Sequence, residues 1–127
     1  MSTSTNYFKN LIGDAVMLDE PLTITFPLKM ALYTVAPDET GGGTEVAGGS
    51  YAQQTVTFVA ATGEGVYENQ IVEFTDMPAA DVVAIAVLDD LDNMLIFDSF
   101  TAVPVIAEDA YVVSTGSIIV SFDPAAA

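Results

Sequence analysis

The chain has 127 residues, with 18 Asp and Glu against two Lys, no Arg, no His and no Cys, for a formal net charge of −16. Without His or Cys there is no imidazole base, no Ser-His-Asp triad, no thiolate nucleophile and no ordinary zinc or iron site. With only Lys9 and Lys29 as side-chain cations, a row of phosphates cannot be neutralised, so neither nucleic acid nor an anionic membrane is an expected partner.

The rest of the composition points to a folded chain. Apolar residues make up 51% and charged ones 16%, the latter against about a quarter in ordinary soluble domains, and the mean hydropathy is +0.47. A disordered acidic tail would be poor in apolar residues. The surplus predicts a core plus a further surface buried against other subunits or a partner.

The first ten residues, MSTSTNYFKN, lack the basic start and apolar run of a secretory signal. The longest apolar run, Val82 to Leu88, is seven residues, against the about 20 of a membrane-spanning helix. The expected site of synthesis is a cytoplasm, with the protein kept there or carried away in a particle assembled there. Residues Thr5 to Val16 form the one helical stretch. Tyr7, Phe8, Leu11, Ile12 and Ala15 recur on one face, Ser4 or Thr5 serves as N-cap, and Gly13 weakens the far end. This helix either packs on its own domain or acts as an arm on a neighbouring subunit. Residues 1–18 are accordingly separated from a β domain at 19–127.

From Pro21 onward the period is two. Leu22, Ile24 and Phe26 alternate with threonines; after Pro27, Leu28, Met30 and Leu32 point one way and Lys29, Ala31 and Tyr33 the other. Ala36 to Ser50, with Gly41-Gly42-Gly43 and Gly48-Gly49, reads as a long loop, either a flexible excursion or a segment that orders on a partner. Further strands are expected at Thr55–Val59, Ile71–Phe74, Val82–Leu88, Met94–Phe97, Val103–Ile106, Tyr111–Val113 and Ile118–Phe122. About eight short strands and one short N-terminal helix predict an all-β, antiparallel β-sandwich or jelly roll.

Little in this pattern carries chemistry. Asp89, Asp90 and Asp92 with Asn93 have the alternate-acid look of a calcium loop, but the turn Gly and distal Glu of an EF-hand are missing, and a solvated hairpin turn is the simpler reading. Among eighteen acids a pair at glycosidase spacing arises by chance. Ser50, Ser99 and Ser114 have no base, no G-x-S-x-G elbow occurs, and the glycine loop lacks the Lys-Ser/Thr of a P-loop. No enzyme activity, cofactor or metal is expected.

Two stretches carry a resemblance. Ala31-Leu32-Tyr33-Thr34-Val35-Ala36-Pro37-Asp38, followed by Gly41-Gly42-Gly43-Thr44-Glu45-Val46-Ala47-Gly48-Gly49-Ser50-Tyr51-Ala52-Gln53-Gln54-Thr55-Val56-Thr57-Phe58, resembles a family of small tailed-bacteriophage virion proteins, tail-fibre-like or acting as capsid cement or decoration proteins. Ile71–Phe74, Val82–Asp89, Met94–Phe100 and Ala107-Glu108-Asp109 are similar to its later elements. Gln53 stands where the family commonly has Arg, and Ala86 replaces a glycine. The resemblance implies a virion structural protein without catalytic residues that assembles as a homotrimer. Its expected place is the head, docked on the major capsid protein as decoration; the alternative is a tail fibre, baseplate or other tail-surface component. The expected interface residues are Tyr7, Phe8, Leu11 and Ile12 on the helix, and Glu45, Tyr51 and Gln53 around the glycine loop.

Overall fold

The computed structural model describes residues 3–61 and 66–121. The chain order is β1 (Thr3–Ser4), α1 (Asn6–Met17), β2 (Lys29–Val35), β3 (Thr44–Glu45), β4 (Gln54–Thr55), β5 (Phe58–Ala60), β6 (Val66–Asn69), β7 (Val72–Phe74), β8 (Ala80–Leu88), β9 (Met94–Val105), β10 (Tyr111–Val113) and β11 (Ile119–Ser121). A six-stranded sheet runs β1-β9-β8-β2-β3, with β4 also paired to β2; β10-β7 and β11-β6-β5 form two smaller sheets, and every pairing is antiparallel. The all-β sandwich expected from the alternating pattern is therefore the architecture. It has eleven strands among the described residues, several only two or three residues long.

The alternation that makes β2 a strand also divides its side chains between two clusters. Met30 and Leu32 face a core shared with Val72 and Phe74 of β7, Ile85 and Val87 of β8, Leu95 and Ile96 of β9, and Val113. Ala31 and Tyr33 face the other way, against Ala84, Ala86, Leu88 and Phe97. Residues Lys29 to Tyr33 pair in register with Leu88 to Ala84. The central pair is thus apolar on both sides, which explains why Val82–Leu88 reads as an unbroken run.

Two register shifts reshape β9. Between Val87 and Leu88 the partners step from Ile96 to Met94, leaving Leu95 as an extra residue; Leu95 and Ile96 then both join the main core, the effect of a β-bulge. Further along, Val82 pairs with Val103 but Ala84 with Ser99. The extra residues here bend one continuous strand, where the sequence pattern predicts two separate ones.

Other expectations are corrected. Leu22–Phe26 forms no strand: β1 takes the pairing on the outer side of β9, and the segment is held instead to the turn between β8 and β9, where the Asp90 N–H donates to the Thr25 carbonyl at 2.9 Å. Thr55–Val59 is split at Val56, which turns into the core. Val66–Asn69 is a strand that polar Glu68 and Asn69 conceal. Residues 36–50 are not a structureless loop. Thr44 and Glu45 pair back onto Val35 and Tyr33, the Val46 N–H donates to the Leu32 carbonyl at 2.9 Å, and the Val46 side chain is buried. Gly43 permits this return at φ +76°, where a Cβ would lie 2.6 Å from the Val35 carbonyl oxygen. The helix runs past Gly13 to Met17 and ends where Asp19 adopts a left-handed conformation, with the Glu20 N–H donating to the Asp14 carbonyl at 3.2 Å. Phe122, the expected end of the last strand, lies outside the described residues.

One buried side chain fastens the smaller sheets. Asn69 is fully buried; its Nδ2 donates to the Gln70 carbonyl at 2.8 Å and the Ser114 carbonyl at 3.1 Å, and its Oδ1 accepts from the Ile118 N–H at 2.8 Å. Asn69→Ala is expected to lower stability by about 1–3 kcal/mol for the orphaned Ile118 N–H alone. A fall in the urea midpoint at unchanged slope checks this.

Candidate functional site

The N-terminus is tied to the central sheet by Thr5, which is 1% exposed. Its hydroxyl donates to the Met94 carbonyl at 2.7 Å and accepts from the Phe8 N–H at 3.3 Å, so the residue that caps α1 also anchors it to β9. The Asn6 N–H donates to the Glu39 carbonyl at 2.8 Å, joining the helix start to the 36–43 turn. On the helix Phe8, Leu11 and Ile12 are half-buried, and Phe8 packs against the main core. Tyr7 points away from them and is exposed, and none of the twelve helix residues is fully buried. The far end leaves Val16, Met17 and Leu18 in solvent, followed by Leu22 and Phe26, each more than half exposed.

The structure brings Glu45, Tyr51 and Gln53 together. The Tyr51 hydroxyl donates to Glu45 Oε2 at 2.6 Å and accepts from the Leu32 N–H at 2.9 Å; Gln53 Nε2 donates to Glu45 Oε2 at 3.2 Å. The Tyr51 ring stacks on Phe74, with centroids 6.0 Å apart. Burial, then the bond to the Glu45 carboxylate, push the Tyr51 phenol well above its ordinary range. The trio is a clasp that closes residues 45–53 onto β2, with the Glu45 carboxylate, the Tyr51 hydroxyl and Gln53 Nε2 engaged inside the chain.

A concavity lies above the second face of the central pair. A cleft of about 590 Å³ is floored by Tyr33, Leu88 and Met94 and walled by Thr5 to Tyr7, Glu39 to Gly42, and Asp92 with Asn93. That volume lies in the range of small-ligand sites. Asp38 shapes one wall: it accepts from the Thr40 N–H at 2.9 Å and from the Thr40 hydroxyl, which hold its carboxyl below the ordinary value. Asp89 shapes the other wall. It is buried, and its Oδ1 accepts from the N–H groups of Leu91 and Asn93, each at 2.9 Å, while its Oδ2 accepts from Asn93 Nδ2 at 3.1 Å. The expected solvated hairpin is corrected here, because Asp89 is the internal bracket of the turn. Asp90 lies outside the cleft lining and meets Lys29 Nζ at 3.0 Å. No group of three or more acids among the described residues is arranged to hold a metal ion.

Tyr33 is the residue that sequence reasoning did not select, although its side chain falls opposite Met30 and Leu32 in the alternation. It is 5% exposed, and no described group hydrogen-bonds its hydroxyl. Burial, with the carboxylates of Glu45 and Asp92 next, pushes its phenol from 10 up to about 12. Both lysines are engaged within the chain: Lys9 Nζ sits 2.8 Å from Glu39 Oε2, and Asp90 holds Lys29 protonated above its ordinary value.

A family model described as Podophage GP4 fiber I protein gp80 matches residues 3–121. The match bears out the resemblance to tailed-phage virion proteins of the tail-fibre-like kind. No curated protein matches the chain.

Two outcomes follow from the clasp and the cleft floor. Tyr51→Phe removes an acceptor from the Leu32 N–H and a donor from Glu45, and is expected to cost about 1–3 kcal/mol, read from denaturant unfolding. In alkali, the unfolded chain loses the Tyr33 proton near pH 10 and the folded chain near 12. The unfolded state then binds fewer protons, so stability is intact below about pH 10 and declines between 10 and 12. Tyr33→Phe should make that decline shallower, with the remainder coming from Tyr51 and Tyr111, whose phenols burial also pushes up, measured as the urea midpoint at pH 9, 10 and 11.

Proposed function

The chain belongs to the Podophage GP4 fiber I protein gp80 family, and from that premise we propose that it is a non-enzymatic component of a phage fibre, held in the virion by self-association and by docking on another virion protein. The family match carries the reading. Three features support it: both side-chain cations are spent on intrachain pairs, the surface is strongly acidic, and apolar side chains crowd the end of α1.

The self-association surface in this proposal is α1 and its sequel. Val16, Met17, Leu18, Leu22 and Phe26 are all exposed and follow the half-buried Phe8, Leu11 and Ile12 along the chain, with the exposed acids Asp19 and Glu20 between them; in this reading they supply the apolar contact strip. Large exposed apolar residues in this density mark contact surfaces more often than free ones. A trimer joined by this strip would owe its cohesion to apolar burial, because no Arg exists and Lys9 and Lys29 are already paired. The exposed acids then remain for a partner carrying Lys or Arg.

Head decoration is the second reading. It is favoured by one observation: no described element is longer than the 12 residues of α1 and β9, so nothing among the described residues is built as a long shaft. Copy number separates the two. A few to a few dozen copies per virion, with density on the tail in electron microscopy, supports the fibre; hundreds of copies on the head lattice would overturn it in favour of decoration.

The charge asymmetry sets an order of dissociation. Raising salt screens the acid-to-base docking contacts but leaves apolar cohesion intact or strengthened. Salt washing of virions, followed by light scattering of the released protein, should therefore give free oligomers; monomers released at the lowest effective salt would contradict the assignment of forces.

A further inference from the structure

Of the described buried residues that carry a polar side-chain atom, Thr5, Asn69 and Asp89 are hydrogen-bonded, and Tyr33 alone is not. No fully buried side-chain nitrogen or oxygen among the described residues lacks a hydrogen-bond partner. The Tyr33 hydroxyl therefore keeps accessible surface, and the cleft it floors is where that surface lies. A phenol otherwise buried among apolar neighbours, with its oxygen left open to a cavity, is a feature that a ligand would complete.

The groups around it define the ligand. Glu39 and Asp92 bring carboxylates, Asn6, Thr40 and Asn93 bring neutral polar groups, and Tyr7 brings a second, exposed ring. Two carboxylates face one cation, Lys9, which bonds Glu39 and lies outside the lining. Asp92 makes no ion pair or hydrogen bond through its carboxylate among the described residues, and its field already acts on the Tyr33 phenol. Such a site repels anions and favours a flat, weakly hydrated cation that donates to carboxylate and phenol oxygens and stacks on tyrosine.

We propose that the cleft above Tyr33 receives an arginine side chain of a different virion protein, with Asp92 and the Tyr33 hydroxyl as acceptors and Tyr7 as a lid. This rests on the docking reading above and names its contact. A second copy of this chain cannot supply the group, because the sequence has no Arg and both lysines are paired.

The probe is N-acetyl-L-argininamide, titrated at low salt into the ¹⁵N-labelled full chain. Saturable shifts confined to the amides of Tyr33, Gly41, Gly42 and Asn93 are expected. Asp92→Asn should weaken binding about five-fold, the upper end for one exposed charge pair. Tyr33→Phe should weaken it about two-fold with an unchanged unfolding midpoint at neutral pH, and Asp14→Asn on the helix should change nothing. Shifts spread over the exposed acids and insensitive to Asp92→Asn would overturn the proposal, as would N-acetylglucosamine shifting the same amides while the arginine probe does not. Virions separate the two levels of inference. Wild-type chain present in them, with Asp92→Asn retained to the same salt concentration, overturns the role of the cleft and leaves docking by another face. Wild-type chain absent from them overturns the docking reading and this partner with it, even where arginine binds.

Discussion

The antiparallel pairing of Lys29–Tyr33 with Ala84–Leu88 is the constraint on which the rest depends. Its two strands have apolar side chains on both faces, so each face needs its own cover. On the first, the small sheets and the Leu95–Ile96 bulge supply a thick layer of large side chains. On the second, the side chains nearest the middle are Ala31, Ala84 and Ala86, all fully buried beneath Tyr33, Leu88 and Phe97. Alanine there lets a single ring reach across the pair. One layer of rings is thinner than a second sheet, and the shortfall in height is the cleft.

That geometry also explains how the N-terminus and the glycine turn become neighbours. β1 extends the sheet beyond β9, while β3 extends it beyond β2. Yet Asn6 donates to the Glu39 carbonyl, so the two edges are bridged over the top of the second face. Gly41, Gly42 and Gly43 all hold positive φ, which turns the chain sharply enough for β3 to return along β2 after its excursion. A rigid turn of this kind presents Thr40 and the Gly41–Gly42 backbone at a fixed height, the preorganisation that a contact site needs.

The pattern made the extended, one-face-apolar segments legible, and it located the interiors of β2, β8 and β9. It did not reveal pairing. Leu22–Phe26 has the same alternation as β2 but pairs with no strand, while Val66–Asn69 finds a partner on each side despite Tyr67, Glu68 and Asn69. Buried polar residues were invisible for a related reason. Asn69 and Asp89 look like turn residues in sequence, and their burial depends on distant or folded-back backbone groups that the local pattern does not contain. Glu45, Tyr51 and Gln53, expected as interface residues around the glycine loop, hydrogen-bond to one another and to β2, contacts between separate segments that spacing along the chain does not show. Tyr33 was assigned to the correct side of its strand; what the alternation could not show is that nothing in the chain would meet its hydroxyl.

Charge and burial together give the site its meaning. A chain of net charge −16 with every side-chain cation already paired cannot neutralise itself, and its copies repel each other wherever acids face one another. Close assembly is then possible only where apolar burial outweighs that repulsion, as at the exposed Val16–Leu18 end of the helix, which Asp14, Asp19 and Glu20 flank, or against a chain that brings its own positive charge. The fold keeps these two kinds of surface apart: the apolar strip follows from the far end of α1, and the cleft opens beside its N-cap. Thr5 fixes that separation, because the same hydroxyl that starts the helix ties it to β9. The helix therefore does two jobs at opposite ends, closing one wall of an acidic site and carrying the apolar residues away from it.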